Sequence, residues 1–145
     1  MKRCLSIMAV FLMISGAAWT ASDENIRFRA VDIYVDSGDM PLAAYQMELK
    51  VVEGDAKLVG IEGGEHEAFS DTPYYDPAAL QGGRIILAAF DTGTDLPTGR
   101  TRVARVHMRV AGDTDATYSV KIKTAATRDG TEIEVSAEIA KGAGK

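Results

Sequence analysis

The stretch Leu42–Val52, LAAYQMELKVV, decides the fold class. Ala43, Tyr45, Met47, Leu49 and Val51 fall on one parity, and Ala44, Gln46, Glu48 and Lys50 on the other. Ala, Leu, Met, Glu and Lys are good helix formers, so a helix over Ala43–Lys50 is locally available. An amphipathic helix repeats its apolar residues every three or four positions. A strict period of two instead describes a strand with one face buried.

The same reading extends in both directions. Upstream, Ile26–Val35 is β-rich: Val31, Ile33 and Val35 alternate with Asp32 and Tyr34, while Ile26 and Phe28 sit on the opposite parity, which predicts a bulge near Ala30 or a change of partner. Asp36-Ser37-Gly38-Asp39 and Gly54-Asp55 are turns, and Lys57–Ile61 is a short strand. Arg84–Phe90 is a continuous apolar run, which suits a central strand buried on both faces. In Arg102–Val110, Ala104, Val106, Met108 and Val110 point inward, and Arg105, His107 and Arg109 outward.

Asp129-Gly130 signals a type I′ hairpin. Such a turn pairs Thr124 with Val135, Ile122 with Ala137 and Val120 with Ile139 on one face, and Lys121 with Glu138 and Ala125 with Glu134 on the other. The pattern as a whole predicts an antiparallel all-β sandwich, jelly-roll or immunoglobulin-like, of about seven to nine strands. Between strands, Glu62–Gly83 is the longest segment without strand character. Within it Asp76 can cap, and Pro77 can open, one short helical turn.

The first residues read as targeting rather than fold. Lys2 and Arg3 precede the apolar run Cys4–Ile14, and Ser15-Gly16-Ala17-Ala18 supplies small residues for cleavage, so 1–22 is expected to be a signal peptide. That places the protein outside the cell or in the envelope, with a domain over 23–141 and a frayed tail over 142–145. The apolar run is shorter than the roughly 20 residues that a spanning helix needs, so no membrane span is expected after cleavage.

The whole chain of 145 residues carries 21 acidic and 16 basic residues, a net charge of −5; losing Lys2 and Arg3 makes it −7. That balance argues against nucleic acid as a partner. Cleavage also removes Cys4 and Trp19, the only residues of their types. The domain then has no disulfide framework and no thiol nucleophile, and must rely on an apolar core.

Few residues suggest chemistry. Asp91-Thr92-Gly93 after an apolar strand is similar to the active-site triplet of aspartic proteases, in which paired carboxylates share a proton. No Gly-rich flap precedes it and Val110-Ala111-Gly112 follows too closely, so Asp91 is assigned to a turn. The segment Glu62-Gly63-Gly64-Glu65-His66-Glu67 gathers one His with carboxylates, and its bland reading is a solvated acidic loop. Asp91 and Asp95 are candidates for Ca²⁺; no other cofactor is implied. Tyr74 and Tyr75, flanked by Pro73 and Pro77, form either a binding surface or a plug on the core. Arg105, His107 and Arg109 form either a solvated face opposite acids or a patch for an acidic partner.

With the strands placed, the chain resembles cohesin-like domains, relatives of the family-2 and family-3 carbohydrate-binding modules. The resemblance lies in LAAYQMELKVV (42–52), KLVGIEG (57–63), GRIILAAF (83–90), GRTRVARVHMRVAG (99–112) and the closing DGTEI (129–133). It departs where Glu53-Gly54-Asp55 stands in place of an Asp-Pro, in the long Glu62–Gly83 loop, and in the lack of a Trp row. The resemblance implies a non-enzymatic recognition module that binds a dockerin-like or other protein partner, or a polysaccharide directly.

Overall fold

The computed structural model describes residues 24–142. The expected signal segment 1–22, and all of the expected tail except Gly142, lie outside the described residues. Seven strands form two antiparallel sheets: β1 (Ile26–Asp36), β2 (Ala44–Glu53), β3 (Asp55–Gly63), β4 (Arg84–Phe90), β5 (Arg100–Ala111), β6 (Thr117–Ala126) and β7 (Ser136–Lys141). One sheet has the order β3-β5-β1-β7 and the other β4-β2-β6. The all-β sandwich expected from the alternation is the architecture observed. The short turn predicted at Asp76-Pro77 is present as a 3-10 turn over Pro77–Ala79, with the Asp76 carboxylate accepting the Ala78 N–H at 2.9 Å.

The inner faces meet along the predicted parities. Val31, Ile33, Val35, Leu58, Val106 and Met108 from one sheet face Tyr45, Met47, Leu49, Ile85 and Leu87 from the other, all essentially buried. With no cross-link among these residues, this apolar burial is the main stabilising term, at about 25 cal/mol per Å². Phe69, from a 3-10 turn over Glu67–Phe69, closes the core edge-on against Tyr45, with ring centroids 5.3 Å apart.

Four sequence expectations are corrected. The irregularity in β1 does not lie near Ala30: the β1–β5 register runs unbroken from Ile26 to Ile33 and shifts between Ile33 and Tyr34. The extra residue is Val103 on β5, so consecutive Val103 and Ala104 are both fully buried. Ile26 and Phe28 simply lie on the outer face, where Phe28 is 68% exposed.

Second, β4 is not a central strand. It is the edge of the three-stranded sheet; Ile85 and Leu87 are buried, Ile86 and Ala88 half-buried, and Phe90 is 63% exposed. An apolar run fits an edge strand here because Tyr74 bridges onto its open side at Ala88.

Third, the Asp129-Gly130 turn does not lead into a paired hairpin. Only Gly130 adopts a positive φ (84°), whereas a type I′ turn requires two such residues. Gly130 N–H donates to Thr127 O and Thr127 N–H to Thr131 O, and the Asp129 carboxylate accepts from the Thr127 hydroxyl. Pairing stops after the Ala126–Glu132 bridge. Beyond it β6 joins β2 and β7 joins β1, so the two strands diverge into opposite sheets. Lys121 consequently lies opposite Glu48, and Glu138 opposite Tyr34.

Fourth, Thr124 and Ala125 exchange faces. The β2–β6 register shifts between Gln46 and Met47, with Lys123 as the extra residue. Ile122 and Ala125 therefore both face the core, while Thr124 is exposed. This phase change gives a direct test. Ala125→Glu buries an unpaired charge and should lower stability by several kcal/mol, whereas Thr124→Glu should change it by less than about 1 kcal/mol. Urea midpoints of the two variants measure both effects.

Candidate functional site

The candidate residues lie on three separate parts of the surface. The first is the outer face of the four-stranded sheet. The bulge at Val103 brings Arg100 and Arg102 onto the same side as Arg105, His107 and Arg109. This row is not a free basic stripe. Asp32, opposite Arg105 on β1, is only 5% exposed, and its carboxylate accepts from Arg105 Nε at 2.6 Å and Nη2 at 2.9 Å. Arg102 adds a charge 3.8 Å from the same carboxylate. The Arg105 hydrogen bonds hold the Asp32 carboxyl below the usual carboxylate range, against the opposing effect of burial. His107 Nε2 lies 2.9 Å from Glu62 Oε1, and Arg100 stacks 3.6 Å over Tyr34 while bonding Glu138. Arg105 and His107 are thus matched by neighbouring carboxylates across the sheet.

The second region is the end of the Glu62–Gly83 loop nearest β5. Gly64 packs so closely that an added Cβ would lie 2.3 Å from Arg102 O, and Glu65 bonds both Arg102 backbone groups, by its N–H at 2.9 Å and its carboxylate at 2.8 Å. His66 caps the following 3-10 turn through Nδ1, which accepts the Ala68 N–H at 3.2 Å. Its Nε2 lies 3.8 Å from Asp95. The Asp91 carboxylate accepts the Gly93 N–H at 2.6 Å, a local Asx-type turn. Among the described residues no group of three or more His, Cys, Asp or Glu is gathered as a metal site would be. A cleft of about 470 Å³ lies between loops lined by Pro41, Leu96, Thr127 and Asp129, and Asp129 is already bonded within its own turn.

The third region is the aromatic one. Tyr74 and Tyr75 point to different environments: Tyr75 is half-buried against the core, and Tyr74 is 69% exposed. Tyr74 exchanges two main-chain hydrogen bonds with Ala88, its N–H to Ala88 O at 2.7 Å and Ala88 N–H to its O at 3.0 Å. That bridge sets its ring against Phe90, with planes 11° apart and centroids separated by 6.1 Å. Phe90 continues inward through half-buried Ala88 and Ile86. At the far end of β4, Arg84 Nε donates to Glu48 at 2.7 Å and lowers that carboxyl's pKa.

Sequence reasoning identified Tyr74 and missed its partner. Phe90 closes a run that looks like core, and only its parity, shared with Ile86 and Ala88, marks it as outward. Asp32 was likewise hidden, because its partner Arg105 is remote in sequence.

Among the described residues no helix is long and apolar enough to cross a membrane. No protein-family model, curated protein or solved structure matches the chain.

The Asp32 cluster generates a pH prediction. Its depressed pKa means that the ionised form stabilises the fold above the ordinary carboxylate range, near 4, and that this contribution is lost as pH falls through the folded-state value. Asp32→Asn should therefore lower the melting temperature most at neutral pH, with the gap to the native protein closing below about pH 4. Arg105→Ala, which leaves a buried carboxylate short of its main partner, should cost about 2–4 kcal/mol at pH 7. Thermal melts across pH measure both.

Proposed function

We propose that this chain is an exported, non-catalytic recognition module of the cohesin-like kind, and that it binds a partner protein through the Tyr74–Phe90 surface. The observation that carries this reading is the pair itself: two large rings, 69% and 63% exposed, held parallel at a sheet edge by a main-chain bridge. Exposing apolar rings is unfavourable unless something covers them, and rings already fixed in place lose little entropy on binding. The surroundings suit a protein interface. An apolar strip over Phe90, Ala88 and Ile86 ends at the Glu48–Arg84 ion pair, giving an apolar centre with a polar rim. Asp91, whose carboxylate is tied to the Gly93 N–H, has a structural role in this reading.

Direct polysaccharide binding is the second reading. It is favoured by the 11° angle between the rings, since near-parallel faces can stack on sugar rings.

One variant set separates the readings. Tyr74→Ala with Phe90→Ala should weaken partner binding by about 2 kcal/mol or more while leaving the urea midpoint within about 1 kcal/mol of native. Co-sedimentation with insoluble glycans that the double variant abolishes would instead select the polysaccharide reading. Asp91→Asn should leave binding intact. Peptide cleavage abolished by that substitution would overturn the non-catalytic reading.

A further inference from the structure

β7 covers only part of its neighbour. It pairs with β1 from Val31 to Asp36, and Gly142 adds one more bond by donating its N–H to Ala30 O at 2.9 Å. Ile26–Arg29 have no strand on that side among the described residues, although they remain paired to β5 on the other. Because alternate residues of a strand direct their main-chain groups to the same side, Ile26 and Phe28 share the orientation of Ala30. Their N–H and C=O groups therefore face the open edge. The Phe28 carbonyl accepts one weak bond, at 3.3 Å, from the neighbouring Arg29 guanidinium, a half-exposed side chain free to move aside.

Under this edge the two sheets leave a cavity of about 230 Å³, floored by Val31, Val110, Ala116 and Tyr118. That is smaller than the about 300–1,000 Å³ of sites for small molecules, and suits a side chain. A strand added beside β1 would send alternate side chains into this space and the others towards exposed Phe28.

The rim sets the chemistry of the occupant. Arg27, Arg29 and Lys141 surround the single carboxylate of Asp115 at 3.0, 3.8 and 3.4 Å. Arg29 and Lys141 are 48% and 90% exposed, so they have capacity for further acids. The other acid of that turn, Asp113, accepts from the neutral Asn25 amide, so three cations stand against two carboxylates here. This is a locally cationic rim on a protein whose net charge is −5. A second copy pairing antiparallel about Phe28 would set Arg27 against Arg29, an unfavourable opposition.

We infer that the open half of β1, Ile26–Arg29, is a strand-addition site for an extended acidic segment of a partner protein, with an apolar side chain seated in the cavity under Val31 and Tyr118. This site is separate from the Tyr74–Phe90 surface and does not depend on it. Main-chain pairing supplies affinity, and the Arg29–Lys141 rim supplies the preference for acid.

The probe is the fluorescein-labelled octapeptide Thr-Glu-Thr-Val-Thr-Glu-Thr-Thr, which sets one Val and two Glu on the cavity face that Arg29, Val31 and Lys141 share, with Lys in place of both Glu as control, titrated by anisotropy against the full chain. The Glu peptide should bind at least tenfold more tightly than the Lys peptide. Phe28→Pro removes the edge-facing N–H without touching the β5 ladder, since Pro is tolerated where a strand's N–H faces solvent. It should weaken the Glu peptide at least tenfold. Arg29→Glu with Lys141→Glu, which alters only exposed side chains, should reverse the preference and decides the matter if the Pro variant does not fold. Tyr74→Ala with Phe90→Ala should leave peptide binding unchanged. Failure of both peptides to bind, equal binding of the two, or an unchanged preference in the charge-reversed variant would each overturn the inference. So would dimerisation through Phe28, seen by sedimentation and lost in Phe28→Pro.

Discussion

The extra residue in β5 at Val103 is the point on which the rest of the sandwich turns. It places Val103 and Ala104 in the core as neighbours, and so keeps Arg100 and Arg102 on the same outer face as Arg105. The Tyr45 hydroxyl, buried and pushed to a higher pKa by that burial, donates to Val103 O at 3.1 Å and ties the two sheets together. One residue earlier, Arg102 receives Glu65 on both of its main-chain groups, which pins the start of the long loop. From there Phe69 turns into the core, and the chain proceeds to Tyr74 at the opposite sheet's edge.

Local chemistry made most of the strands legible. Alternation over Ala43–Val51 and Ala104–Val110 reflects one buried face each, and the Asp76-Pro77 cap is a purely local event. What could not be read were the decisions taken between strands. Asp129-Gly130 favours a reversal, but whether the two arms stay paired depends on β2 and β1, which lie far away in sequence and draw β6 and β7 apart. Bulges at Val103 and Lys123 are similarly invisible, because each is set by the partner's register. The same limit applied to function. Tyr74 could be singled out from its proline-flanked loop, whereas Phe90 becomes a surface residue only because β4 is an edge.

The two proposed surfaces follow from how the sandwich treats its edges. β4 is partly capped by Tyr74, which satisfies Ala88 and presents a ring beside Phe90. Among the described residues, β1 is capped by β7 over Val31–Asp36 and open over Ile26–Arg29. Exposed edges are hazards unless blunted by charge or cover, and both devices occur here: arginines beside the β1 edge and a bridging residue on β4. By contrast, Arg105 and His107 on the central strand are absorbed in pairs with Asp32 and Glu62. These two candidate binding residues are committed to holding the sheet.

The central claim is that Tyr74 and Phe90 form a preformed surface because the Tyr74–Ala88 bridge fixes the loop to β4. Amide hydrogen exchange on the unliganded protein addresses it directly. The account predicts that the Tyr74 and Ala88 amides exchange as slowly as the Leu87 amide in the middle of β4. Exchange of the Tyr74 and Ala88 amides at the rate of an unstructured loop, with Leu87 protected, would contradict it.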